Sequence, residues 1–124
     1  MKNILLTLAI SLIMTSFSAI SQTSIINAIK SGDATELSTY FDKIVEINLP
    51  DKSNSYSKSQ AELVLRNFFS INPVKDLTII HQSETAGSQY FIGNLITANG
   101  KFRTTVYLKQ KGDKLFIQEL RFEK

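Results

Sequence analysis

His81 is the only histidine of the 124-residue chain, and cysteine is absent. A histidine metal cluster, a cysteine metal site and a thiolate nucleophile are therefore excluded, and a Ser-His-Asp arrangement would have to use His81 alone. His81 ends the apolar segment Leu77 to His81, in which strict alternation would place Leu77, Ile79 and His81 on one face. A histidine in that position is more often a satisfied edge residue than a general base. The glycines are scattered through the chain without the clustered pattern of a phosphate loop, and no acidic metal loop is present. The expectation is a protein without metal or cofactor.

The remaining polar candidates lie in the last third of the chain. Arg103, Thr105 and Tyr107 alternate along one segment, and Glu119 and Arg121 share a face of the next. As neighbouring strands they would form a charge ladder worth about 0.2–1 kcal/mol per pair. An arginine beside Tyr107 could also hold a carboxylate or an acidic partner through its planar fork. These five residues are the candidate surface or dimer face, the dimer being isologous. Tyr90, Phe69 and His81 are the candidate ligand-binding residues, provided the domain keeps an open apolar pocket. Eight phenylalanines in so short a chain argue instead that Phe41, Phe68 and Phe69 plug it.

Several function classes fall away on composition. The formal charge is +3, and the basic residues are interspersed with acids, so no stripe marks a nucleic-acid binder. Residues 1 to 21 have the organisation of an export signal: Lys2, an apolar run from Ile4 to Met14, and small residues at Ala19 and Ser21. Cleavage before Gln22 would leave 103 residues with thirteen Lys and Arg against eleven Asp and Glu, a net charge of +2. The apolar run is too short and too interrupted for a retained span, and no cysteine is available for a lipid anchor. The expected location is periplasmic or secreted, with no stable membrane anchor.

The remainder, 22–124, reads as one domain. Ser24 could cap a helix carrying Ile25, Ile26 and Ile29, and Asp33 could cap a second from Ala34 to Phe41. Val45, Ile47 and Leu49 alternate as a strand that Pro50 ends, and 51–59 reads as a polar loop. Ser59 and Glu62 have capping-box spacing ahead of a helix with Ala61, Val64, Leu65, Phe68 and Phe69 on one side. Strands follow at Leu77 to His81, Tyr90 to Thr97, Phe102 to Lys109 and Leu115 to Phe122, the last three joined as hairpins at Ala98-Asn99-Gly100 and Lys111-Gly112-Asp113. Phe102, Val106 and Leu108 would face inward with Phe116, Leu120 and Phe122. The class is α+β, N-terminal helices packed on a curved antiparallel sheet.

The element order resembles the cystatin-like cone of the nuclear transport factor two-like superfamily. The closing stretch from Tyr90 to Lys124, with Gly93, the Gly100 turn, Phe102-Arg103, Val106-Tyr107-Leu108 and Leu120-Arg121, is similar to a family of small exported Bacteroidetes-type proteins of unknown function. That resemblance implies the cone fold and supplies no catalytic residues to carry across. The resulting expectation is a non-catalytic module that binds a small apolar or carboxylated ligand or an envelope protein. The alternative is a small isomerase, dehydratase or hydrolase acting within the cone.

Overall fold

A computed structural model describes residues 22–85 and 87–124. The leader reading for residues 1 to 21 lies outside the described residues. Three helices and six strands follow in order: α1 (Gln22–Lys30), α2 (Ala34–Ser38), β1 (Phe41–Asn48), β2 (Ser53–Ser57), α3 (Lys58–Ile71), β3 (Val74–Ser83), β4 (Ser88–Thr97), β5 (Gly100–Lys111) and β6 (Lys114–Glu123). The strands form a single sheet in the order β2-β1-β6-β5-β4-β3, with the helices on one face. The α+β class follows the sequence reading, and the element order does so apart from one additional strand, β2.

The helices are set by their caps and stripes. Asp33 accepts a hydrogen bond from the Glu36 amide at 3.0 Å, so α2 begins where its cap requires. It ends at Ser38, short of Phe41, because the Tyr40 carbonyl accepts from the Ile117 amide at 2.8 Å and Phe41 starts a strand. Ser24 lies inside α1 rather than capping it. The capping box of α3 is Ser57 with Gln60, not Ser59 with Glu62. Tyr56 stays in β2 opposite Val45, so the helix has to begin immediately after Ser57. Glu62 is left free to accept from the Ser38 hydroxyl at 2.9 Å and to pair with Arg66, tying α2 to α3.

Ser53–Ser57, expected as loop, is strand β2, made by hairpin pairing with β1 rather than by its own apolar content. The sheet is mixed rather than wholly antiparallel, because β1 lies parallel to β6. The chain crosses from β2 through α3 to the far edge at β3 and winds back by hairpins, which brings β6 alongside β1 in that sense.

Register irregularities shift side chains between faces. In β3 the register slips between Ile79 and His81, so Ile79 stands opposite Gly93 and His81 opposite Ile92. Adjacent residues point to opposite faces, so His81 leaves the face of Leu77 and Ile79. In β6 Gln118 is the extra residue between Glu119 and Ile117. Phe116 consequently stands opposite Lys109 on the outer face, and Leu115 and Ile117 take the inward positions expected of it. β1 carries a further slip between Phe41 and Glu46. Such bulges bend and twist strands, which suits a sheet curling around α3.

The core lies between the helices and the inner face. Phe41, Phe68, Phe69, Phe91, Phe102 and Phe122 are all buried there with Leu65, Val106, Ile117 and Leu120. The Phe68 ring packs 4.6 Å from Phe122 and 5.3 Å from Phe102, centroid to centroid. Phenylalanines therefore fill the interior around α3, as their number leads one to expect.

Candidate functional site

The sequence-derived candidates divide between the two faces of the sheet. Phe69 belongs to the core, its ring 5.8 Å from Phe68 and 6.3 Å from Phe122. Tyr90 and His81 lie on the outer face, where His81 Nε2 is 3.0 Å from the Tyr90 hydroxyl and the rings are 5.5 Å apart. Phe69 is therefore separated from the other two by the sheet, and the three do not line one pocket. The His81–Tyr90 pair is exposed to water on one side. The geometry offers no histidine inside a water-excluded cone, where acid–base chemistry would need it.

The other five candidates do share the outer face. Tyr107 pairs with Tyr90 and Glu119, Thr105 with Ile92 and Arg121, and Arg103 with Asn94 and Glu123. The Tyr90 and Tyr107 rings are 6.3 Å apart. Arg121 Nη2 donates to Glu119 Oε2 at 2.8 Å, and Asn48 Nδ2 donates to the same oxygen at 3.1 Å. The carboxylate of Glu119 raises the guanidinium pKa of Arg121 still further, so the fork is permanently charged. Thr105, expected at the surface, is buried beneath its neighbours, whereas Tyr107 remains 39% exposed. A shallow groove of about 570 Å³ opens where β1 leaves β6, between Glu46, Asn48, Ser53 and Arg121.

A second place, not anticipated from the sequence, is a depression at the end of the cone, over the edge of the aromatic core. Its floor is Phe68, Phe102 and Ile71, its wall Leu49 and Pro50 of the β1–β2 turn, and its rim Lys52 and Lys124 together with the carboxylate of Asp51. The depression holds about 260 Å³, room for roughly nine waters at ~30 Å³ each. Lys124 Nζ sits 5.5 Å from the centre of the Phe102 ring, in cation–π range. Ile71 continues the apolar stripe of α3 yet is 59% exposed. The turn geometry holds this mouth in place. Asn72 Nδ2 donates to the Phe68 carbonyl at 3.1 Å, and Asn99 Nδ2 donates to the Ile71 carbonyl at 2.6 Å. The Ala98 amide donates to the Pro73 carbonyl at 3.0 Å, so the β4–β5 turn clamps the end of α3. The signal that could have found the mouth is Ile71, an apolar residue three positions after Phe68 in the last turn of α3.

Among the described residues no group of three or more His, Asp or Glu is placed to hold a metal ion. No curated protein matches the chain. A family model described as "Domain of unknown function (DUF4783)" matches residues 22–123. The chain belongs to the DUF4783 family. Crystal structures of two DUF4783 proteins agree with the fold. The protein from Bacteroides ovatus is 30% identical, with a TM-score of 0.80 over 87% of this chain and 97% of that one. The protein from Bacteroides uniformis is 32% identical, with a TM-score of 0.79 over 82% and 94%. An NTF2-like protein of unknown function from Cytophaga hutchinsonii, 8% identical, superposes with a TM-score of 0.61 over 86% and 91%. This likeness concerns the fold alone, and it places the DUF4783 chain in the NTF2-like cone architecture.

Proposed function

We propose that this DUF4783 protein is an exported, non-catalytic binding module whose ligand is a small apolar carboxylate held at the mouth of the cone. The observation that carries the reading is the juxtaposition of Phe68, Phe102 and Ile71 with two lysines, Lys52 and Lys124, that outnumber the one carboxylate, Asp51, around the same depression. An apolar floor with a few convergent charged groups is the usual composition of a small-ligand site. With the interior filled by phenylalanines, a ligand at this end would lay its hydrocarbon part over the aromatic floor and bring its carboxylate to the lysines. Export rests on the basic start, apolar run and small residues of positions 1 to 21.

Calorimetric titration with hexanoate, hexanol and hexylamine tests the reading. The account expects hexanoate to bind most tightly and hexylamine least. Because each 1.4 kcal/mol is tenfold, losing one lysine contact should weaken hexanoate by about threefold to tenfold in Lys124→Gln. Ile71→Glu, at an exposed position, should abolish binding without unfolding the domain. Equal affinity for the three compounds, or unchanged affinity in Ile71→Glu, would overturn it.

A further inference from the structure

The β4–β5 turn holds the chain's one Asn-Gly pair, Asn99 followed by Gly100. An asparagine before glycine is especially prone to lose its side-chain amide, because no side chain shields the backbone nitrogen that follows. The turn leaves no choice of residue there. Gly100 has a φ of +111°, which only glycine adopts freely. A Cβ at Gly100 would meet nothing within 4 Å, so packing does not screen its nitrogen either. Thr97 Oγ1 accepts from the Asn99 amide at 3.1 Å and donates to the Gly100 carbonyl at 2.8 Å, which braces the bend. The Asn99 side chain meanwhile ties the turn to α3. Its Nδ2 donates to the Ile71 carbonyl at 2.6 Å and to Asn72 Oδ1 at 3.3 Å, and Asn72 Nδ2 in turn donates to the Phe68 carbonyl at 3.1 Å.

We propose that Asn99 is a deamidation site held in check by the end of α3, and that its reaction releases the clamp on the mouth of the cone. The Gly100 backbone nitrogen attacks Asn99 Cγ, gives its proton to hydroxide or water, and forms a new N–Cγ bond. The Cγ–Nδ2 bond breaks, and Nδ2 leaves as ammonia. Water then opens the resulting five-membered imide at one of its two carbonyls, leaving aspartate or isoaspartate at position 99. The sum is amide plus water to acid plus ammonia. The departing nitrogen is the atom that holds Ile71 and Asn72, so the clamp and the completed reaction exclude each other.

The product cannot restore the clamp. An ionised carboxylate only accepts hydrogen bonds, and at position 99 it would face the Ile71 carbonyl oxygen and Asn72 Oδ1, both acceptors. Asn72, which is buried, could turn its amide towards the new charge only by abandoning the Phe68 carbonyl. An isoaspartate would also lengthen the backbone of the turn. The hydrogen bond from the Ala98 amide to the Pro73 carbonyl would be left to hold the turn against the end of α3. Because the lost ammonia is not regained in water, the change runs one way, from a braced mouth to a loosened one. Neither step depends on what occupies the mouth.

Peptide mapping by mass spectrometry, after incubation at mildly alkaline pH, tests the first step. Residues 22–124 suffice, since crystallised relatives consist almost wholly of this domain. In urea, Asn99 should deamidate faster than Asn54, which precedes serine. In the folded protein Asn99 should react about tenfold to a hundredfold more slowly than in urea, since its two hydrogen bonds have to be given up first. Asn72→Ala, which removes one of the acceptors, should recover part of that rate while circular dichroism shows a folded domain. Amide hydrogen exchange tests the second step. In Asn99→Asp the Asn72 and Ala98 amides should exchange about fivefold or more faster than in wild type. Asn99→Ala, which deletes the donor without adding charge, gives the same readout should the carboxylate variant unfold. Equal rates at Asn99 in folded and unfolded protein, a folded Asn72→Ala as slow as wild type, or unchanged exchange at Asn72 and Ala98 in the folded variants would overturn the proposal.

Discussion

The Phe68 ring of α3 packs 4.6 Å from the Phe122 ring of β6, joining the long helix to the strand that lies beside β1. Phe102 closes the same cluster at 5.3 Å from Phe68. This contact both fills the interior and presents Phe68 and Phe102 at the mouth. Phe68→Ala should therefore cost about 3–5 kcal/mol, the usual range for a buried phenylalanine with a residual cavity. Urea unfolding measures it, and a loss below about 1 kcal/mol would show that the aromatic cluster does not hold the cone.

Gly93 makes a different demand. A Cβ there would sit 2.8 Å from the Thr78 carbonyl oxygen and 3.0 Å from Leu77 Cδ1. The carbonyl is backbone of the paired strand β3 and can yield only if the strands part. Gly93→Ala should destabilise by about 1–3 kcal/mol, as overpacking does. A thermal melt unchanged from wild type would contradict the close approach of β3 and β4.

The start of α3 separates two capping assignments. Ser57→Ala should cost about 1 kcal/mol by removing the acceptor for the Gln60 amide. Ser59→Ala, at an exposed position within the helix, should stay within about 0.5 kcal/mol of wild type. Chemical denaturation of the two variants distinguishes the caps directly, and the reverse ranking would return the cap to Ser59.

Acid stability reports on the tie between β1 and the β5–β6 hairpin. The Lys111 ammonium, 2.8 Å from Asp42, holds the Asp42 carboxyl below its ordinary value, with the Lys43 amide helping against partial burial. A depressed folded pKa stabilises above the unfolded value of about 3.9 and loses that stabilisation as pH falls through the folded value. Lys111→Met should therefore cost about 0.5–1 kcal/mol near neutrality, an amount kept small by the exposure of Lys111. The difference from wild type should vanish under strongly acid conditions. A difference that persists there would assign the loss to packing of Lys111 over Phe116 instead.

Much of the fold could be read from particular residues. The stripe from Ala61 to Phe69, the Asp33 cap and the glycines at the β4–β5 and β5–β6 turns each carry a local signal, and each stands where that signal puts it. β2 could not be read, because Ser53 to Ser57 owes its strand to pairing with β1. His81 and Phe116 were assigned to the wrong faces because each lies beyond a bulge, and one extra residue inverts a two-residue period. The parallel pairing of β1 with β6 depends on a crossover between distant segments, which leaves no trace in local pattern. The outer-face residues could be grouped because three hairpin strands have a simple register. The mouth draws on the β1–β2 turn, the end of α3, β5 and Lys124, which only the assembled cone brings together.

The central claim is that a small apolar carboxylate occupies that mouth, and amide chemical-shift mapping during a hexanoate titration of residues 22–124 tests it most directly. The account predicts saturable shifts concentrated at Leu49, Lys52, Phe68, Ile71, Phe102 and Lys124, with the outer-face residues Tyr90, Thr105 and Tyr107 unmoved. Shifts absent from the mouth, or confined to the outer face, would contradict it.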